Sequence, residues 1–319
     1  MALERPRLSV CICSHNPSRR DFTQTLAALN QQSVGQEGWE LLVVDNASQP
    51  ALESWIHEIA GGLAMRIVRE ERLGLTHARI RAIHEAYGEV LVFVDDDNVL
   101  APDYLSHVID IFGGLPQIGV IGGRISGKFE LPPPAWLEPF LRYYAVGDAG
   151  NQPIIGFKDK PYGPWYPRGA GMAIRADAAR EWADQIAADS IRQRLGRVGG
   201  ALGGGEDIDL VMTILNFGLS AGYFPQLRIT HLIPPRRLKL GYAARLIYQT
   251  HLSCDRMEFL QGSRHKPRPW PVEHLLSIAA FVRAGAWHPF GWFLAMQLSR
   301  GRYAAWHSII RPDKVKSPS

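Results

Sequence analysis

The chain has 319 residues, 46% of them hydrophobic and 21% charged, which is enough apolar material for one large core, or a core with an appendage, and excludes a disordered protein. Its net charge of +4 conceals an asymmetry: from Arg228 onward there are 15 Lys/Arg against 4 Asp/Glu, which leaves a balance of −7 for the first 227 residues. A basic C-terminal third suits nucleic acid, an anionic membrane surface or an acidic polymer, and charge alone does not choose among them.

At the start, Met1-Ala-Leu-Glu-Arg-Pro-Arg7 leads into an apolar run, Leu8 to Cys13, that is too short and wrongly flanked for a signal peptide. The run reads as a buried strand. It is followed by the polar loop Ser14-His15-Asn16-Pro17-Ser18 and a helix over about 21–32. Cys11, Cys13 and Cys254 make neither a paired framework nor a zinc pattern, so a reducing, cytoplasmic compartment is expected. No apolar stretch approaches the ~20 residues that cross a bilayer, and no spanning helix is predicted.

Trp39 to Val44 gives a second strand, which runs into Asp45-Asn46-Ala47-Ser48; residues 51–60 read as a helix. Met65 to Val68 is a brief third strand, and a helix spans Gly74 to Tyr87, closing at Gly88. Apolar strands alternating with helices predict a parallel sheet covered on both faces, with ligands at the carboxyl ends of its strands.

The fourth strand is the centre of the pattern. Val90-Leu-Val-Phe-Val94 delivers three adjacent carboxylates, Asp95, Asp96 and Asp97, to that same edge. A solvated acidic turn is one reading. The other is a divalent-cation site, because unpaired buried carboxylates are costly and Mg²⁺ or Mn²⁺ commonly rests on one or two of them plus substrate diphosphate oxygens. No G-x-G-x-x-G follows the first strand and no Walker sequence occurs, so a nucleotide would be held differently from those classes.

From Val120 to Lys158 the rhythm is irregular. A strand over Ile118 to Arg124 gives way to the proline-stiffened Leu131 to Trp136, and the aromatic stretch Pro161 to Arg168 reads either as a sugar contact or as packing under a loop. An alternating strand over Gly169 to Arg175 and a helix over 176–188 come next.

Gly203-Gly-Gly-Glu206-Asp207-Ile-Asp209 then places acids at a helix start, after glycines of the kind found in mobile lids. Asp207 or Asp209 could be a cap, but one cap does not need the Glu206-Asp207 doublet, and Asp207 is read as functional. His231 ends the last strand, where it could complete a cation's shell or simply pack. Beyond Gly241, Trp, Arg and apolar residues recur at helical spacing over Val272 to Trp306, including Phe281, Arg283 and Trp287. Such helices lie in a membrane interface or pack on a protein surface.

Taken together, Asn16 after the first strand, Val44-Asp45-Asn46, the Asp95-Asp96-Asp97 run and Gly205-Glu206-Asp207 resemble, in that order, the inverting family 2 glycosyltransferases. Pro167 to Ala173 and His231-Leu-Ile-Pro-Pro-Arg-Arg-Leu238 look like segments of bacterial members that build cell-surface glycans. The resemblance covers about residues 8–240. It implies a GT-A fold: a Rossmann-like, mostly parallel central sheet flanked by helices. It also implies a catalytic region over 1–240, with a nucleotide-sugar half near 1–120 and an acceptor half near 121–240. A basic, Trp-rich helical extension over 241–319 carries no assignable motif.

By that resemblance, Ser14, His15, Asn16 and Asp45 would hold the base and ribose of a sugar nucleotide, with Arg79, Asp95 and Asp96 as further donor contacts. Asp97 and His231 would bind a divalent cation, Mn²⁺ or Mg²⁺; Asp207 would be the general base, and Glu206 would help position the acceptor. The pattern departs from the family where Ala78-Arg79 is followed by Ile80 and where Arg72 precedes Gly74 by two residues.

The implied activity is metal-dependent, inverting transfer from a nucleotide-sugar, a UDP-sugar being expected, to a glycan or lipid-linked saccharide. Further expectations are an anionic membrane surface at the inner face and homo-oligomer formation as additional contacts, and no nucleic acid. A sugar nucleotidyltransferase and a non-catalytic nucleotide-sugar or glycan-binding protein are the alternatives. The first lacks its glycine-rich basic loop in residues 13–18.

Overall fold

The computed structural model describes residues 6–160, 163, 165–260, 269–283 and 288–310. In chain order its elements are β1 (Leu8–Ser14), α1 (Arg19–Asn30), β2 (Trp39–Asn46), β3 (Arg66–Glu70), α2 (Leu75–Glu85), β4 (Val90–Phe93), β5 (Asn98–Leu100), α3 (Tyr104–Gly114) and β6 (Ile118–Phe129). They continue with β7 (Ile154–Gly156), β8 (Ala173–Arg175), α4 (Ala176–Ala187), α5 (Glu206–Asn216), β9 (Ser220–Ile233), α6 (Leu240–Leu260), α7 (Trp270–Arg283) and α8 (Pro289–Ile310). Two compact units result. The first takes the chain up to Lys128, 145–194 and 206–232; the second takes 129–144, 195–205 and the chain from Ile233 on.

In the first unit the apolar strands serve two cores, because successive side chains point to opposite faces. Val10, Ile12, Val43 and Val92 pack with Phe22 and Leu26 of α1. Cys11, Leu42, Val44, Leu91 and Phe93 pack with Ala78 and Ile83 of α2, Trp182 of α4 and Ile214 of α5. The sheet order is β3-β2-β1-β4-β8-β6-β9-β5, with β7 also on β9. Strands β1 to β4 are parallel to their neighbours among themselves, and β8 runs antiparallel to β4 and β6.

Register fixes which loops share an edge. Ser14 is level with Asp45, Asp45 with Arg69, and Cys11 with Phe93, so β1, β2, β3 and β4 all release their following loops on the same side. Strand β5 pairs antiparallel with β9 and sets Asn98 opposite His231. The mixed sheet with helices on both faces is the α/β architecture expected.

Three local expectations are corrected. Residues 51–60 form two 3₁₀ turns, Leu52–Ser54 and Ile56–Glu58, because Trp55 between them leaves helical geometry, with φ −148°, and lays its ring edge-on against Phe22. Helix α2 ends at Glu85, with Ala86 as its cap, rather than running to Tyr87 and closing at Gly88; Gly88 is needed for a close approach, since a Cβ there would lie 2.5 Å from the Ser9 nitrogen. The strand expected over Gly169 to Arg175 starts only at Ala173, because the chain turns at Gly171 with φ +73°, its carbonyl taken by the Tyr104 hydroxyl.

The second unit contains α6, α7 and α8 together with a 3₁₀ segment, Ala135–Tyr144. Gly301 lets α8 approach α6 closely; a Cβ there would sit 2.5 Å from the Tyr248 carbonyl oxygen. The glycine run before α5 belongs to this unit, and Gly204 O accepts from the Cys254 thiol of α6 at 3.6 Å. No described helix is long and apolar enough to cross a membrane. Trp287, Pro161, Tyr162 and Pro164 lie outside the described residues, as do the side chains of Phe281 and Arg283.

The cysteines give the fold a chemical test. Burial pushes the Cys13 thiol at the end of β1 up to about 12, so the thiolate is scarce at any ordinary pH. Iodoacetamide at about pH 8 is therefore expected to leave Cys13 intact in the native protein and to label it after unfolding, as peptide mass mapping reads it. Rapid native labelling would contradict a suppressed thiolate at this half-buried position.

Candidate functional site

The loops after β1 and β2 hold one another. Asn16 takes a left-handed φ of 48°, which places its backbone N–H on the Ser48 hydroxyl at 3.0 Å and its side-chain oxygen on the Gln49 N–H at 2.8 Å. His15 Nδ1 lies 2.7 Å from the Asn46 carbonyl. Asp45 is buried, and its carboxylate accepts from Ser48 N at 2.9 Å, Leu52 N at 3.0 Å and the Arg69 guanidinium at 2.8 Å. Asn46 clasps the next loop: its amide donates to the carbonyls of Glu70 and Arg72 and accepts from Gly74 N at 2.8 Å. Asp45 and Asn46 thus use their polar atoms mainly to order the platform, while His15 and Asn16 stand on its surface.

Past β4 the three carboxylates diverge. The Ser14 hydroxyl donates to Asp96, whose backbone carbonyl accepts from Thr25 Oγ1 at 3.1 Å. Asp97 is 8% exposed; the Asn98 amide holds one of its oxygens at 3.0 Å, and His231 Nε2 lies 3.5 Å from the other. The β5–β9 pairing supports that contact from below, with Leu232 N donating to Asp97 O at 2.9 Å. Among the described residues no three His, Cys, Asp or Glu side chains converge as a complete metal cage. One carboxylate and one imidazole fit a cation that draws its other ligands from a diphosphate and water.

Asp95 belongs to another group, around Arg79. Arg79 projects from the middle of α2, is 3% exposed, and donates to Glu206 Oε1 at 3.1 Å. Its guanidinium stacks over the Phe93 ring at 5.2 Å. Burial works against its charge, but the carboxylates of Glu206, Asp95 and Asp207 outweigh that and raise its pKa above the ordinary arginine value. One buried cation therefore gathers acids from the strand end and from the start of α5, more than a hundred residues apart.

Asp207 remains half-buried at that helix start, and its Oδ2 accepts from Gly169 N at 3.1 Å. Gly169 also faces Arg79, whose Nη2 would lie 2.6 Å from any Cβ there. Asp209, two residues on, is structural: it is 1% exposed and receives Trp182 Nε1 at 2.9 Å and a bidentate Arg192.

Several contributors carry no conspicuous sequence signal. Arg69 and Ser48 brace Asp45, Glu70 is bound by Arg72 at 3.0 Å, and Asn98 steadies Asp97. Arg69, Glu70 and Arg72 at the end of β3 were the available hint. In the aromatic stretch, Trp165 is 2% exposed and packs under Gly156, so packing accounts for it.

The model of glycosyl transferase family 2 matches residues 9–176, which is more than half of the chain. Glu206, Asp207 and His231 lie beyond that match. An uncharacterized glycosyltransferase of Bacillus subtilis, YfnE, is 30% identical over 101 residues, 31% of this chain and 25% of that protein. A glucosyl-dolichyl phosphate glucuronosyltransferase of Haloferax volcanii is 22% identical over 144 residues, 44% of this chain and 45% of that protein. The chain therefore spans less than half the length of these curated relatives. Among solved structures, the mannosyltransferase PcManGT of Pyrobaculum calidifontis, in complex with GDP-Man and Mn²⁺, superimposes with a TM-score of 0.57 at 18% identity, over 97% of this chain and 88% of that one. S. aureus TarS with UDP gives 0.51 at 14% identity, over 97% and 93%. The fold is that of the GT-A glycosyltransferases.

Arg79→Met removes the cation from between three carboxylates, and breaking a buried pair this way is expected to cost about 3 kcal/mol or more. Urea unfolding measures it. A midpoint equal to that of the unaltered chain would show that Arg79 carries no structural role.

Proposed function

The chain belongs to glycosyl transferase family 2, and from that premise we propose that it transfers a sugar from a nucleoside-diphosphate sugar to a hydroxyl of a glycan or lipid-linked saccharide, with inversion. The observation that carries the reading is the buried Arg79, flanked by Asp95 of the β4 end and by Glu206 and Asp207 of α5. It puts an acidic strand end and a second acidic motif into one neighbourhood at the carboxyl edge of a parallel sheet, where such sheets bind ligands.

In this reading His15, Asn16 and the platform braced by Asp45 receive the base and ribose, and Asp95 and Asp96 face ribose and sugar. Arg79 and Glu206 act as positioning residues, since both are buried and engaged with each other. Asp97 and His231 would hold Mn²⁺ or Mg²⁺, which would neutralise charge developing on the departing diphosphate. The GDP-Man and Mn²⁺ of the mannosyltransferase and the UDP of TarS support a nucleoside-diphosphate donor and a divalent cation; UDP is the donor nucleotide proposed first.

Asp207 is the proposed general base. Its carboxylate is half-buried, oriented by Gly169 N and open enough to meet an acceptor. The acceptor hydroxyl proton passes to that carboxylate as the oxygen bonds the anomeric carbon and the bond to the leaving phosphate breaks, so one displacement inverts the centre.

Incubation with a panel of sugar nucleotides and Mn²⁺ or Mg²⁺, with release of nucleoside diphosphate measured with and without acceptors, tests the class of reaction. Asp207→Asn is expected to lower transfer by about a hundredfold or more while leaving donor affinity in place; full activity in that variant would remove Asp207 from the role. Asp97→Ala is expected to weaken Mn²⁺-dependent nucleotide binding sharply in calorimetry. Unchanged Mn²⁺ affinity would refute its assignment as a ligand.

A further inference from the structure

Helix α7 is turned inside out. Three of its polar side chains point into the second unit: Glu273 accepts from Arg302 of α8 at 2.8 Å, His274 Nδ1 lies 3.1 Å from the Ser299 hydroxyl of α8, and Ser277 is buried. The positions left outward are Trp270, Val272, Leu275 and Leu276, between 39% and 67% exposed. The last three recur at the three-to-four-residue spacing of one helical face. Near the start of α8, Trp292 and Phe293 are exposed to a similar degree, 40% and 39%.

Single exposed leucines are ordinary on protein surfaces. A helix whose apolar stripe faces outward while its polar stripe is packed against a neighbour is not, and it marks a face that something covers. Charge selects the occupant. The segment from Arg228 onward carries 15 Lys/Arg against 4 Asp/Glu, and of those acids Glu273, on α7, is already paired with Arg302.

A second copy of the chain would bring the same positive segment against itself, whereas an anionic lipid surface meets it with opposite charge. The tryptophans suit the headgroup level, where an apolar ring body and a polar N–H are both accommodated. With 14 residues α7 is about 21 Å long, and no described helix is long and apolar enough to cross a membrane, so the geometry is that of a helix lying along a surface.

We infer that α7 docks, apolar face down, on an anionic bilayer. The inference rests on the second unit alone and does not depend on the glycosyl-transfer reading. The test is co-sedimentation of the full chain at low salt with phosphatidylcholine vesicles containing about one third phosphatidylglycerol. Binding is expected to fall at least about tenfold with pure phosphatidylcholine vesicles, at about 0.5 M salt, and in the double variant Leu275→Glu/Leu276→Glu. Leu115→Glu, at an exposed position of the first unit, is expected to bind as the unaltered chain does.

Circular dichroism of the double variant separates lost docking from lost fold. Absence of binding by the unaltered chain, equal binding by the double variant, or self-association that the double variant abolishes while vesicle binding persists would each overturn the inference. Nucleoside diphosphate release is assayed without vesicles, so either reading can fail while the other stands.

Discussion

A positive charge that has been taken out of water dictates much of the first unit. Arg79 is 3% exposed, and a guanidinium in that position survives only inside a cage of acceptors, since it cannot discharge itself as a lysine could. Glu206 at the head of α5 accepts its hydrogen bond, and further negative charge comes from Asp95 after β4 and from Asp207 beside Glu206. Satisfying Arg79 therefore docks α5 against the sheet edge. It also forces glycine at 169, where the backbone passes between the guanidinium and the Asp207 carboxylate.

The same residue type is held to different degrees within this unit. Asp45 and Asp209 are buried at 2% and 1% exposure, and their carboxylates are consumed by backbone N–H groups, Trp182 and arginines. Asp207 keeps contact with solvent, and Asp97 meets an imidazole rather than a guanidinium. Held carboxylates lock loops into a single geometry, and that rigidity is what keeps the more open ones aimed.

Much of this organisation was legible from residue order. Apolar runs at β1, β2 and β4 and the polar loops that follow them identify the strands and their common edge, because a strand buried on both faces takes few polar residues, and only satisfied ones such as Ser9, before it ends. The Gly205-Glu206-Asp207 sequence likewise signals a helix start. What was not legible depends on partners far away in the chain. The alternating pattern of Gly169 to Arg175 resembles a strand, yet Tyr104 claims the Gly171 carbonyl and turns the chain. That Asp45 also orders the loop after β2 was not legible, because its three donors, Ser48, Leu52 and Arg69, are revealed only by the way the loop folds back. The polar inner face of α7 was invisible for the same reason: leucines at helical spacing suggest an inward stripe until Arg302 and Ser299 are placed opposite Glu273 and His274.

The two units meet opposite burial problems. The first buries long apolar strands and concentrates its charges at strand ends. The second encloses Asp255 and Ser299 within its helices, with Asp255 bound by His251 at 3.2 Å and Ser299 against His274 at 3.1 Å, while leucines of α7 face outward. Paired polar groups in a helical interior return little net free energy, because each protein hydrogen bond replaces one to water. An apolar stripe left in water contributes nothing at all to the hydrophobic term. Such a bundle holds stability in reserve, and any surface that covers the stripe in the folded state but not in the unfolded chain adds to it by mass action. In this unit, then, the direction in which one helix points its leucines would couple local stability to whatever covers them.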